Sequence, residues 1–128
     1  MKAKLASSLA GLLGLLLFCP LMYSHHGSSA YDLTKTVTLK ATITSFEFTN
    51  PHTQVYFDAK DDKGNIVHWI AETTNPAMLA RVGWSKDSLK AGDQVAIIAN
   101  PNRVGAPVVF LEKVVFADGR ELDAKKAF

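Results

Sequence analysis

A chain of 128 residues, 48% hydrophobic and 20% charged, suits one compact domain with a modest core. Fourteen basic residues against twelve acidic ones leave a formal charge of +2 with no basic block, which argues against a nucleic-acid partner. The single cysteine, Cys19, lies in an apolar N-terminal run, so the remaining chain can form no disulfide, thiolate nucleophile, iron–sulfur cluster or cysteine-type zinc site.

Residues 1–24 read as a secretory signal peptide. Lys2 and Lys4 form the positive start, Leu9 to Phe18 the uncharged apolar stretch, and Pro20 breaks it before the small residue Ser24. An uncleaved anchor needs roughly 20 apolar residues, more than this run supplies. Phe18 stands before Cys19 where a lipid-attachment signal has a small residue. The expectation is therefore a periplasmic protein with no membrane attachment after cleavage. Two cuts compete: after Ser24, which leaves His25 first, or after Ala30, where Ser28 and Ala30 give a better small-x-small pattern. Removing 24 of 128 residues leaves 104 and takes away two lysines and no acid, so the formal charge falls from +2 to 0.

An arm over 25–35 precedes the first period-two segment. Val37, Leu39, Ala41 and Ile43 alternate with polar residues, and the apolar parity then switches to Phe46 and Phe48, which predicts a bulge or bend near Ser45. A second strand covers about Thr53 to Ala59 and a third Ile66 to Glu72, joined by the turn Asp61-Asp62-Lys63-Gly64-Asn65. Asn75 caps one short helix that opens on Pro76 and closes at Gly83. Strand four runs from Gln94 to Ala99 and strand five from Pro107 or Val108 to Phe116. The three Asn-Pro pairs, at 50–51, 75–76 and 100–101, are evenly spaced, but their flanks share nothing, and each reads as a strand terminator. Three strands, a helix and two strands, with a phase-switched first strand, is the order of a five-stranded OB-like Greek-key barrel. The barrel is expected over 36–122, with a tail at 123–128. Val55, Phe57, Leu79, Val95 and Ile97 are expected in its core. Strand five contributes either Val109, Leu111 and Val115 or the parity partners Val108, Phe110 and Val114.

Several segments carry a resemblance: His25-His26 after the signal, Thr49-Asn50-Pro51-His52, Trp69 with Glu72, Asn75-Pro76 to Gly83-Trp84, Leu89 to Asp93, and Ala117-Asp118-Gly119-Arg120. In this order they resemble a family of small exported bacterial proteins catalogued only as a domain of unknown function. The similarity spans essentially the whole mature chain. It implies export and a small β-barrel, and it brings no activity with it.

The chemistry-bearing residues are the histidines. A mature N-terminal His25 offers an α-amino group with a reference pKa of about 7.7–8.0 and an imidazole at about 6.5, and both deprotonate readily when a metal competes. Amine, imidazole and a third nitrogen make a set that suits Cu(II). His52 is the candidate facing ligand, and His26 or His68 an optional fourth. The bland alternatives are a polar terminus for His25-His26, a turn residue for His52, and a cross-strand partner of Tyr56 or Phe57 for His68. Trp69 and Trp84 read as packing residues. Glu72 and Asp58 read as solvated strand residues, unless one accepts from a ligating histidine. No phosphate loop, nucleophile elbow or spaced His-Glu helix is present, so catalysis is the less favoured class. The leading expectation is a non-catalytic copper-binding protein. The rival is a metal-free module for a protein or small-molecule partner, and an oxidative copper enzyme comes third.

Overall fold

The computed structural model describes residues 27–128; the expected signal segment 1–24 and both His25 and His26 lie outside the described residues. Six strands and one short helix follow in chain order: β1 Val37–Glu47, β2 Gln54–Lys60, β3 Ile66–Glu72, α1 Pro76–Ala80, β4 Gln94–Pro101, β5 Val108–Phe116 and β6 Glu121–Asp123. β1 is flanked by antiparallel β2 and β4, β3 pairs with β2, and β5 pairs with β4. A short parallel ladder, Ile70–Glu72 against Val108–Phe110, joins β3 to β5 and closes the five-stranded barrel. With its helix between β3 and β4, this is the expected OB-like arrangement.

The long first strand serves both halves of the barrel because it carries an extra residue. Ile43 faces Phe57 across the β1–β2 ladder while Ser45 faces Tyr56, which leaves Thr44 unpaired in a bulge. Ala41 and Ile43 are buried before the bulge, and Phe46 and Phe48 pack against the core after it. Val37 and Leu39, expected to be buried, are only half covered; β1 pairs there with β4 alone, its ladder with β2 beginning at Ala41. A second bulge, unforeseen in the sequence, lies in β5: Ile98 faces Lys113 and Ala99 faces Leu111, so Glu112 is the extra residue. Strand five therefore buries Val109 and Leu111 from one parity and Val114 from the other.

Ile43, Val55, Phe57, Leu79, Ile97, Val109, Leu111 and Val114 are all at most 1% exposed. Burying each such side chain contributes about 1.5–3 kcal/mol, the main favourable term in a domain of this size. α1 forms where its cap predicts: Asn75 Oδ1 accepts from Met78 N at 3.0 Å, and Gly83 beyond the helix has φ +93°, a conformation that glycine supplies without strain. Trp84 then enters the core, its ring 6.1 Å from Phe46.

Two joints of the chain are tied more closely than the sequence indicates. Asn100-Pro101 ends a strand as expected, but as its last two residues, two places beyond the expected end at Ala99. β4 runs through Pro101, whose carbonyl accepts from Asp32 N at 2.9 Å, and the Asn100 amide donates to Lys35 O at 2.7 Å and Glu112 Oε1 at 3.2 Å. At the C-terminal end β6 pairs with β5, and Ala124 and Ala127 are buried.

Candidate functional site

A cleft of about 140 Å³ opens where the arm, the β1–β2 joint, the end of β3 and the start of β5 meet. It is lined by Gly27, His52, Glu72, the pair Thr73-Thr74, Phe110 and Phe128. Register explains the gathering. Gln54 faces Glu72 across the β2–β3 ladder, and that pairing extends past the strand ends, with Thr73 N bonding Thr53 O and Thr53 N bonding Thr74 O, both at 3.0 Å. His52 is thereby held beside the end of β3. The parallel ladder sets Phe110 directly against Glu72.

The arm reaches the cleft because Tyr31 anchors it. Tyr31 is 5% exposed, bridges to Asn102, and sits with its ring 5.6 Å from Phe110. Its hydroxyl donates to Glu72 Oε2 at 2.6 Å. Arg103 clamps the residues before it: its backbone N–H donates to Ala30 O at 3.0 Å and its Nε to Ser29 O at 3.1 Å. The single 3-10 turn Ser28–Ala30 is fixed in this way, and Gly27 falls on the rim.

Glu72 is the electrostatic feature of the cleft. It is half-buried rather than solvated, and Gln54 Nε2 donates to its Oε1 at 3.0 Å. Gln54 is itself oriented by the Tyr56 hydroxyl, which donates to Gln54 Oε1 at 2.7 Å. Burial, and then the Glu72 carboxylate, push the Tyr31 pKa well above the ordinary tyrosine value, so this hydroxyl stays a donor at physiological pH. Among the described residues no lysine or arginine lines the cleft. Thr73, 2% exposed, has a hydroxyl oxygen with no hydrogen-bond partner among the described residues.

His68 is placed elsewhere. It projects from the outer face of β3, four residues before Glu72, or about 13 Å along the strand. Its cross-strand partner is Asp58, not Tyr56 or Phe57: Nδ1 lies 2.5 Å from Asp58 Oδ1, and the side chain is 86% exposed. Trp69 is a packing residue as expected, its ring stacked 6.3 Å from Phe57. A second cleft, between the turn after α1 and the β5–β6 hairpin, is lined by Asp87, Phe116, Arg120 and Leu122 and, among the described residues, by no histidine.

Chemically, the first cleft offers one imidazole and one carboxylate. Among the described residues no group of three or more histidine, cysteine, aspartate or glutamate side chains stands close enough to hold a metal ion. The reading of the sequence missed Tyr31, Gln54 and Thr73. A signal for the Gln54–Glu72 pair was present: five turn residues between Lys60 and Ile66 set those two opposite each other, and the rest of the register follows.

Comparison with curated proteins and with solved structures gives no match. Residues 16–109 match the model of a family of unknown function, DUF6152, and with most of its length covered the chain belongs to that family.

Proposed function

We propose that this is an exported periplasmic protein that binds one copper ion without catalysis, using a mature N-terminal His25. The His25 amine and ring nitrogen and the His52 imidazole are the ligands, with His26 as an additional donor. Its role is to store, deliver or sense the metal. His68, about 13 Å from Glu72 along β3 and paired with Asp58, is left out of this set.

One observation carries the reading: Gly27, two residues after His25, lines the same cleft as His52 and Glu72. Two residues span at most about 7 Å of extended chain, and that short reach supports pairing His25 with His52 on one ion. The docked arm also favours the cut after Ser24. A cut after Ala30 discards Ser29 and Ala30, whose carbonyls Arg103 binds.

Isothermal titration of Cu(II) into chains beginning at His25 and at Tyr31 tests the reading. The His25 chain is expected to bind one ion at least about a hundredfold more tightly, and to release it below about pH 6 as imidazoles protonate. His52→Ala in the His25 chain is expected to weaken binding while leaving the metal-free unfolding midpoint nearly unchanged. Equal Cu(II) binding by the His25 and Tyr31 chains refutes the terminal site and leaves a metal-free binding module as the better account.

A further inference from the structure

We propose that the cleft at the end of β3 also binds a short-chain primary ammonium ion, with Glu72 taking the charged head and Phe110 and Phe128 covering the carbon chain. The proposal goes beyond the copper reading and needs neither a metal nor the His25 terminus. Glu72 is half-buried and both of its oxygens are held, Oε2 by the Tyr31 hydroxyl at 2.6 Å and Oε1 by the Gln54 amide at 3.0 Å. Gln54 is oriented in turn by the Tyr56 hydroxyl at 2.7 Å. These partners are all neutral, so they fix the carboxylate without cancelling its charge. A carboxylate has about four acceptor positions, so two hydrogen bonds leave lone pairs for the N–H groups of a cation. Among the described residues no lysine or arginine lines the cleft to neutralise it.

The rest of the lining selects the kind of cation. Phe110 and Phe128 line the same cleft, their ring centroids 5.3 Å apart, and Phe110 is braced from the arm by the Tyr31 ring at 5.6 Å. Aromatic surface beside a carboxylate favours a cation that carries hydrocarbon, because the ring quadrupole attracts the charge and the apolar area covers the chain. A primary ammonium also keeps N–H groups for charge-assisted hydrogen bonds to Glu72, which a quaternary one lacks. Size sets the upper limit. A cleft of about 140 Å³ lies below the roughly 300–1,000 Å³ of sites for drug-sized ligands, so the occupant has only a few carbons.

The test is a nuclear magnetic resonance titration of the isotope-labelled chain beginning at His25. A chelator keeps it metal-free, and excess potassium chloride saturates any general response to cations. n-Butylammonium is expected to shift the backbone amide signals of Glu72, Thr74 and Phe110 in a saturable way, with a dissociation constant on the order of 1 mM for so small a ligand. n-Butanol, similar in size but uncharged, and butyrate, of opposite charge, are expected to bind at least about tenfold more weakly. Glu72→Gln keeps the shape, removes the charge and is expected to weaken n-butylammonium at least about tenfold. Phe128 is 64% exposed, so Phe128→Ala reads the aromatic wall with the core intact, and a loss of about threefold or more is expected. Equal affinity of the parent for n-butylammonium and n-butanol overturns the proposal by itself, even where Glu72→Gln disturbs the arm. An unchanged affinity in Phe128→Ala, or in a Glu72→Gln chain that keeps the parent's unfolding midpoint, overturns it as well. Cu(II) binding by the parent without an n-butylammonium response sinks this proposal alone, and the reverse result sinks the copper reading alone.

Discussion

Among the groups that link the arm to the barrel, the Tyr31 hydroxyl is the one whose environment makes it pH-sensitive. Tyr31 is buried, and its pKa is raised by that burial first and by the Glu72 carboxylate second. In the unfolded chain it titrates near its ordinary value of about 10. A group whose pKa is raised on folding stabilises the folded state fully below the unfolded value, and that contribution is lost as pH rises past it. Stability is therefore expected to fall above about pH 10, and Tyr31→Phe is expected to lower stability at pH 8 while flattening the alkaline decline. Urea unfolding at pH 8 and pH 11 on both proteins checks this, and a decline equally steep in the variant removes Tyr31 as its source. Tyr31 was not legible as a site residue because nothing local marks it. Its importance comes from contacts with Glu72 and Phe110, far along the chain. His52 was singled out in the sequence as a histidine following Asn50-Pro51 at a strand joint, and the structure places it in the lining of the cleft.

At the scale of the strand, the two bulges show where alternation can be read and where it cannot. β1 announces its bulge because polar threonines separate the apolar residues, so a shift from Ile43 to Phe46 stands out as a change of parity. β5 hides its bulge at Glu112 because Val108, Val109, Phe110 and Leu111 are apolar on both faces, and a continuous apolar run has no phase to lose. The core that results is uneven in what it tolerates. Phe57, 1% exposed and stacked on Trp69, is expected to cost about 3–5 kcal/mol when cut to alanine. Thr38 is exposed on β1, and Thr38→Ala is expected to change stability by less than about 0.5 kcal/mol. Leu39→Ala falls between the two because that side chain is only half covered. Chemical denaturation of the three variants ranks them, and a Phe57→Ala loss no larger than that of Thr38→Ala contradicts this core.

The whole molecule turns a sheet into a barrel with one parallel contact, and that contact builds the cleft. Closing β3 on β5 sets Phe110 beside Glu72, and the β4–β5 loop then carries Arg103 to the arm. The barrel is expected to fold without the residues before Tyr31. A chain beginning at Tyr31 loses Arg103's bonds to Ser29 O and Ala30 O, at about 1 kcal/mol each. It is expected to keep a single cooperative unfolding transition at a slightly lower midpoint, measurable by calorimetry. Collapse of that chain to an unfolded state makes the arm part of the core, and a loss of copper binding on truncation then says nothing about His25.

The sequence by itself determined the order of strands and helix, the bend in β1, the hairpin turn and most of the buried residues, because alternation, caps and turn residues are local and physically direct. Only the tertiary structure decided that Glu72 is half-buried and held by Tyr31 and Gln54, that His68 pairs with Asp58 away from His52, and that Gly27 of the arm lines the cleft. Those facts depend on hairpin register and on barrel closure between segments some forty residues apart. A slip of one residue in either ladder reverses the face of every side chain, and no local pattern in the chain records which pairing wins.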